Sequence, residues 1–548
     1  MTESNSSENQ DPILDVLVVG AGFSGMYLVQ KLRSLGVSFR VLEQGSDIGG
    51  TWYWNRYPGA RCDIPTIEYS YSFDPELEQS WDWQELMAAQ PEILTYANHV
   101  ADRYDLRRDI EFNTRVSAAT FDESEACWRV ETSSGDTCRE YAARFFIMAT
   151  GCLSVPNWPD IDGRNSYEGR VMHTGLWPHE KVDFTGQRVG IIGAGSSAVQ
   201  SIPVIAETAE QLTIFQRTPV YTFPAGNQPL DDEFRGDIKS RYAEIRAAQR
   251  ESFAGMALYG VMGRLQEVGT DKIGDCDEAE RLQRLAKEGL TSLRRYADVG
   301  VDLAANEMAC DLYRQYVRDV VDDQDTAQAL MPRGYPIGCK RQVVDIGYYE
   351  AFNQDNVVLV DLRKEQIDSI NKTGIATSAG QYDFDILIYA TGFDAMTGAI
   401  NSVNIRGRDG EALKDHWHAG PKSYLGLQIA GFPNLFTVTG PGSPSVLSNM
   451  MVSIEQHCDW IASCIAHLNA NGISTIEAEP QAQERWVEHV NQVASNTMLT
   501  TPSCNSWYLG ANIPGKSRVF MPYVGGVGAY RDRCDAVARN GYEGFVLA

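Results

Sequence analysis

Two glycine-rich turns are the places in this sequence where residue types and spacing could do chemistry. The first, Gly20-Ala21-Gly22-Phe23-Ser24-Gly25, follows the apolar run Leu14 to Val19; the second, Gly193-Ala194-Gly195-Ser196-Ser197-Ala198, follows Arg188 to Ile192. In a strand–turn–helix unit the first glycine makes the tight turn and the second lets a pyrophosphate approach the backbone. The small third residue lets helix and strand pack, and the anion then rests on unsatisfied N–H groups at the helix start. One such turn says little by itself, because glycine turns also serve structure. The residue that closes each unit is more informative. Glu43 stands eighteen residues after Gly25, where a carboxylate accepts hydrogen bonds from the ribose hydroxyls of an adenosine half. Arg217 stands at the equivalent place in the second unit, twenty-four residues after Gly193; a guanidinium there can grip a 2′-phosphate that an acid would repel. Thr218 and Lys340 are further candidate phosphate contacts. The contrast predicts FAD at the first unit and NADPH at the second, the logic of a flavoprotein whose bound redox cofactor is reduced by a nicotinamide.

These turns need strands to carry them. Phe145 to Gly151 and Ile386 to Gly392 are two further apolar runs, both ending Ala-Thr-Gly, and small residues at a strand end let backbone approach a dinucleotide closely. The expected fold is α/β, with two dinucleotide-binding (Rossmann-like) domains and a helical insertion. Residues 13–150 and 386–548 are assigned to an FAD-binding domain, and 151–230 and 324–385 to an NADP-binding domain. The charged, Ala- and Arg-rich stretch 231–323 reads as the insertion, and 1–12 as a disordered tail.

Composition bounds the remaining possibilities. At 548 residues the chain is too long for one ordinary core. A net charge of -26 disfavours nucleic acid and acidic lipid as partners, so a phosphate-bearing cofactor needs local cations set against the overall field. The sequence holds no 18-residue apolar window and no secretory h-region, and the expected setting is the cytoplasm, as a monomer or alternatively a dimer. Eleven cysteines are scattered with no CxxC and no metal-ligand spacing. No metal is expected. A flavin disulfide reductase is disfavoured for want of a close redox pair, barring an unusual use of Cys458 and Cys464.

Between the two units lies Tyr167-Glu168-Gly169-Arg170-Val171-Met172-His173-Thr174-Gly175-Leu176-Trp177-Pro178. This resembles the FxGxxxHxxxW(P/D) fingerprint of Type I Baeyer–Villiger monooxygenases, with Tyr167 in place of the usual Phe. The resemblance extends through Gly50 to Asp63, Gly338 to Arg341, Ala390 to Asp394 and Asn505 to Asn512, and is nearest to the branch holding phenylacetone, steroid and cyclohexanone monooxygenases. It implies that NADPH reduces FAD, that oxygen adds to give a C4a-peroxyflavin, and that this attacks a ketone to yield an ester or lactone, with sulfoxidation as a side activity. Ketone and oxygen are the implied substrates, the ketone being aryl-alkyl, cyclic or bulkier.

By the same resemblance Arg341 supplies the fixed positive charge beside the reacting oxygens, and Asp63 orients it. Gly50, Thr51, Trp52, Trp54, Asp63, Tyr69, Val116 and Met450 are implied along the flavin. Arg61, Cys62, Asp63, Gln200, Arg341 and Trp507 are implied beside NADP, together with the Gly193 turn and Lys340. Ser445, Val446 and Leu447 are implied at the substrate pocket. Gly169, His173 and Trp177 could couple domain movement to catalysis or merely pack between domains, and Trp507 could equally be core. The competing readings are a flavin N- or S-oxygenating monooxygenase, disfavoured by Trp177-Pro178 and Lys340-Arg341, and a catalytically silent NADPH- or flavin-binding sensor, disfavoured by intact Asp63 and Arg341.

Overall fold

The computed structural model describes residues 12–258, 269–293 and 295–548. The expected disordered tail lies, apart from Pro12, outside these, as does part of the stretch expected to be a helical insertion.

The apolar run at the N-terminus becomes the strand Leu14–Val19, in which Val16, Leu17 and Val18 are 0 % exposed. Burial on both faces is the mark of a central parallel strand. Its neighbours are Phe39–Leu42 on one side and Thr137–Met148 on the other, both parallel to it. Thr137–Met148 is twelve residues long and changes partner along its length. Its first half pairs antiparallel with Cys127–Ser134, and its last three residues pair parallel with Leu435–Thr437. Arg115–Asp122 and Asn404–Arg406 extend one edge and Ile110–Glu111 the other, giving eight strands.

A second sheet has five strands, all parallel, in the order Val357–Asp361, Gln211–Gln216, Arg188–Ile192, Ile386–Tyr389, Arg170–His173. Chain order reverses between Arg188–Ile192 and Ile386–Tyr389, so a crevice opens there at the carboxyl ends of the strands. The α/β class with two nucleotide-binding sheets is as expected. The domain boundary at 386 is not: Ile386–Tyr389 pairs in register with both Arg188–Ile192 and Arg170–His173, so the chain returns to the first unit only beyond Ala390. A fully buried apolar strand has the same pattern in either sheet, and its partner is settled by tertiary pairing.

The insertion is helical where described, with Asp232–Glu251, Glu278–Glu288 and Leu303–Val320 each opened by an aspartate that caps a backbone N–H. The helix Gln324–Leu330 prolongs it past the expected end at 323. It does not stand apart from the two units. Asp232–Glu251 lies on the first through Arg246, which donates to Glu78 Oε1 at 2.7 Å and to Ser70 Oγ at 2.7 Å. Leu303–Val320 lies on the second, where the Tyr313 hydroxyl accepts from the Thr222 N–H at 2.7 Å. The helix Met450–Ala470 packs along Phe23–Leu35, and the tail closes through the antiparallel pair Ile476–Ala478 and Phe545–Leu547.

Arg246 and Glu78 are 6 % and 7 % exposed. Removing one member of so buried an ion pair strands the other and costs about 3–5 kcal/mol. Arg246→Met is therefore expected to lower unfolding stability by that amount, and adding Glu78→Leu to restore much of it. Denaturant unfolding of the two variants checks this, and a single-variant loss below about 1 kcal/mol would show that the pair does not tie the insertion down.

Candidate active site

The two glycine turns occupy matching positions in the two sheets. Gly20 has φ +104°, and a Cβ there would lie 2.7 Å from the Ala149 carbonyl oxygen; Gly193 has φ +127°, and its Cβ would lie 2.3 Å from the Ala390 carbonyl oxygen. Each Ala-Thr-Gly strand end thus abuts one turn, and only glycine fits the contact. At the first turn Gly22 faces Gly50, whose Cβ would lie 2.8 Å from Gly22 Cα, and a Cβ on Gly25 would lie 1.9 Å from the Gly20 carbonyl oxygen. At the second, a Cβ on Gly195 would meet nothing within 4 Å, and the third place is taken by the fully buried Ala198. Both turns open the helices that follow, Phe23–Leu35 and Ser196–Ala206, so their N–H groups point into the clefts.

Glu43 is buried beneath the first turn, accepting from the Ala21 N–H at 2.8 Å and the Gly45 N–H at 2.7 Å. Burial raises its pKa and these two bonds oppose the rise. Arg217 is exposed just past the end of Gln211–Gln216, with Thr218 beside it. Lys340 reaches the same region from another element: its ammonium lies 4.1 Å from the centre of the Tyr335 ring, and its pKa is lowered by burial and also by the charge of Arg217. Among the described residues neither cation has a carboxylate partner. Two like charges brought together without a counter-ion favour an anion between them.

Arg341 links the two units. Its Nε donates to Asp63 Oδ2 at 2.9 Å, its Nη2 donates to the same oxygen, and its Nη1 lies 3.4 Å from the Val446 carbonyl. The side chains of Arg341 and Asp63 are 33 % and 24 % exposed, so the charge is held at the cleft wall rather than in the core. Asp63 raises the guanidinium pKa further, and the Tyr508 hydroxyl faces the same group. Tyr508 lies in the Asn505 to Asn512 stretch, where only Trp507 carried an expected role; no local pattern marks a tyrosine that reaches a distant guanidinium. Trp507 is partly exposed and its ring packs 4.4 Å from that of Tyr508.

Several other expected site residues have partners of their own. Trp52 donates to the Tyr69 hydroxyl at 3.2 Å, and Tyr69 meets Phe23 edge-on at 5.8 Å. Thr51 and Trp54 lie on the short helix Thr51–Trp54. Met450 opens the helix Met450–Ala470, and the Ser24 carbonyl lies 3.8 Å from the Cys458 thiol. Val116 is taken up in the core with Leu17 and Leu42. Arg61 donates to Glu85 and to the Met87 carbonyl, and Cys62 is buried with its thiol pKa pushed up. Gln200, expected beside NADP, clasps the units together: it accepts from Tyr57 at 2.8 Å and donates to the Arg61 carbonyl at 3.2 Å. Of the pocket trio, Ser445 is buried against Cys152 at 3.1 Å, Val446 turns its carbonyl toward Arg341, and Leu447 is partly exposed.

The fingerprint segment is built into the second sheet. His173 ends Arg170–His173, its Nδ1 accepting from the Gly175 N–H at 2.9 Å and its Nε2 lying 3.3 Å from Thr391 Oγ1. A Cβ on Gly169 would strike the Tyr167 hydroxyl oxygen at 2.3 Å and its ring at 2.4 Å. Thr174 Oγ1 meets Ser197 Oγ at 3.0 Å, and the Trp177 N–H donates to the Trp54 carbonyl at 3.3 Å. One short segment therefore contacts the second turn's helix and the first unit together.

Comparison with known proteins agrees with this geometry. A family model described as pyridine nucleotide-disulphide oxidoreductase matches residues 17–254. A Baeyer–Villiger monooxygenase from Pseudooceanicola batsensis is 37 % identical, covering 100 % of this chain and 98 % of its own. A solved steroid monooxygenase, oxidised and bound to NADP, is 49 % identical with a TM-score of 0.90, over 98 % of this chain and 99 % of its own. The chain belongs to the Baeyer–Villiger monooxygenase family. A phenazine N-monooxygenase from Lysobacter antibioticus is also similar, at 37 % identity over 98 % of both chains.

Burial holds the His173 pKa down at about 4, so the ring is neutral at pH 7. Between its ordinary value near 6.5 and about 4 the unfolded chain binds a proton that the folded chain does not. The stability from this residue is therefore complete above about pH 6.5 and falls as pH drops, by on the order of 3 kcal/mol at the limit. A His173→Asn variant is expected to lose less stability than wild type between pH 7.5 and 5. Urea midpoints at the two pH values test this, and parallel losses would count against a neutral His173.

Proposed function

We propose that this chain is an NADPH-dependent FAD monooxygenase that inserts one oxygen atom of O2 beside a ketone carbonyl, giving an ester or lactone. The observation that carries the reading is Arg341, a permanent cation held at the cleft wall by Asp63 between two nucleotide turns. The residues present suit both cofactors. The cradle between Gly22 and Gly50 is one that a Cβ would fill, and Glu43 beneath it has a carboxylate for ribose hydroxyls. Arg217 and Lys340 form a cationic pair for a 2′-phosphate. Bound there, the nicotinamide supplies hydride and the flavin supplies the electrons that activate oxygen.

The chain's own part is to hold charge and geometry. A carbonyl is attacked by a nucleophilic oxygen, which is negatively charged, and the carbonyl oxygen becomes an oxyanion in turn. Arg341 faces both without a proton to lose at working pH, and Asp63 fixes its plane. Gly20, Phe23, Ser24, Gly25, Thr51, Trp52, Trp54, Tyr69, Val116 and Met450 are proposed for the flavin side, and Arg61, Cys62, Ala194, Ser196, Ser197, Gln200, Thr218 and Trp507 for the NADP side. Leu447 and the Val446 backbone are proposed to border the ketone. His173 and Trp177 are proposed as the seam between the units, with no proton to transfer. Among the described residues no helix is long and apolar enough to cross a membrane, which suits a substrate met in water.

The phenazine N-monooxygenase likeness favours a second reading, oxygenation of a nitrogen. A nitrogen or sulfur donor attacks oxygen as an electrophile, and the Arg341 charge does not assist that step in the same way. A panel of cyclohexanone, phenylacetone, a 20-keto steroid, a phenazine and an aryl sulfide, with NADPH consumption and product mass both followed, separates the two. FAD binding with no ketone-stimulated, oxygen-dependent NADPH use and no ester would refute the main proposal.

Arg341→Ala is expected to leave NADPH-driven flavin reduction within a few-fold of wild type while ester formation falls by about 10²–10³ or more, as for loss of an oxyanion-stabilising donor. Ester yield close to wild type in that variant would remove Arg341 from the chemistry. Loss of charge-assisted bonds to phosphate costs about 1.5–3 kcal/mol, so Arg217→Ala is expected to raise the KM for NADPH about 10–100-fold and that for NADH little. Equal effects on the two nucleotides would dismiss the phosphate contact.

A further inference from the structure

Glu68 is 0 % exposed and stands one residue before Tyr69, in a turn where its N–H donates to the Pro65 carbonyl at 2.9 Å. A carboxyl group withdrawn from water needs donors in the water's place. Its Oε1 accepts from two successive backbone N–H groups, that of Ala257 and, at 3.2 Å, that of Leu258, and from Gln249 Nε2 at 3.4 Å. The chain travels 189 residues between Glu68 and Ala257. Among the described residues Oε2, also buried, has no hydrogen-bond partner. Burial pushes the carboxyl pKa up to about 7, against the two N–H groups and the charge of Arg246. Oε1 accepts hydrogen bonds in the charged and the neutral form alike, so the contact does not depend on the proton.

The segment held in this way leaves the insertion helix Asp232–Glu251 and runs against the end of the loop that carries Ser445, Val446 and Leu447. The Asn449 N–H donates to the Ala254 carbonyl at 2.8 Å, and Asn449 Nδ2 donates to the Glu68 backbone carbonyl at 2.8 Å. Gly255, at φ +67°, passes so close that a Cβ on it would lie 3.2 Å from Asn449 Cβ. Asn449 also caps the helix Met450–Ala470, its Oδ1 accepting from the Met451 N–H at 3.1 Å. Two of these three Asn449 bonds therefore run to Glu68 or to the segment that Glu68 holds.

We propose that Glu68 is a positioning residue for the oxygenation. By holding Ala257 and Leu258 it fixes the segment behind Asn449, and so sets where the loop Ser445–Leu447 borders the ketone. The proposal rests on the reading of this chain as a ketone monooxygenase. Arg217 and Lys340 lie on the second unit, away from this loop in the fold, so the effect of loosening it falls on the ketone and not on NADPH.

The test uses the full-length, FAD-loaded protein as wild type, Glu68→Ala and Glu68→Gln. Hydrogen exchange is read by mass spectrometry, and steady-state kinetics are followed on whichever ketone of the panel above gives most ester. Glu68→Ala removes the acceptor. Exchange in peptides spanning residues 252–258 and 445–453 is expected to speed up about tenfold or more. The KM for the ketone is expected to rise about tenfold, with NADPH-driven flavin reduction and the KM for NADPH within about twofold of wild type. Glu68→Gln keeps a carbonyl oxygen in the place of Oε1 and is expected to restore both the slow exchange and the ketone KM. Wild-type exchange in Glu68→Ala, or faster exchange with an unchanged ketone KM, overturns the proposal, as does Glu68→Gln behaving like Glu68→Ala. If Glu68→Ala fails to fold, the other two forms decide: a 252–258 peptide that exchanges in the wild type as fast as unprotected chain, or a tenfold rise of ketone KM in Glu68→Gln, overturns it. If the wild type makes no ester, the monooxygenase reading falls, and the exchange data still decide whether Glu68 holds the segment.

Discussion

A guanidinium at the wall of a cleft, where it is neither fully hydrated nor buried, is stable only when a carboxylate holds it, and here Asp63 does so with one oxygen shared between two nitrogens of Arg341. The two residues come from different units of the fold. Asp63 lies in the first, just after the Gly50 turn, and Arg341 enters from the second after the insertion. Their pairing ties the two units to each other at the cleft. Val446 and Tyr508 approach the same guanidinium from two further segments. Four stretches of chain thus converge on one charge.

The two units meet this demand with the same local device. In each, a glycine at positive φ begins the turn, and a Cβ on it would collide with the carbonyl of the alanine ending a neighbouring strand, Ala149 in one case and Ala390 in the other. Backbone packed so closely at the point where strand order reverses leaves a shallow trough at the helix start, which is where a pyrophosphate fits. The units then diverge in charge: Glu43 is drawn beneath its turn by two backbone N–H groups, whereas Arg217 projects into solvent near Lys340.

An overall charge of -26 sharpens the importance of these few cations. Many arginines near the surface are spent on nearby carboxylates, as Arg188 is on Asp385 and Arg107 on Asp47. Among the described residues Arg217 and Lys340 have no such partner, and burial together with the charge of Arg217 lowers the Lys340 pKa. Between the units, the contacts Trp177 to Trp54, Gln200 to Tyr57 and Gln200 to Arg61 form a seam of single hydrogen bonds. Such a seam is of a kind that small rearrangements can remake.

The glycine turns, the residues closing each unit, the α/β class and the fingerprint are legible in the amino-acid sequence, because each of these is local: a strand, a turn and a helix start lie within some thirty residues and leave a pattern of glycine spacing and apolar runs. The family likeness brought Asp63 and Arg341 together before any geometry was known. Contacts without a local pattern were left to the tertiary structure. Ile386–Tyr389 joined the second sheet rather than the first, since an apolar strand does not encode its partner. Gln200 was drawn into the seam, Tyr508 reached Arg341, and Cys339 met Cys504 across 165 residues. In each case the deciding quantity was a distance between segments that only closure of the two units onto each other could set.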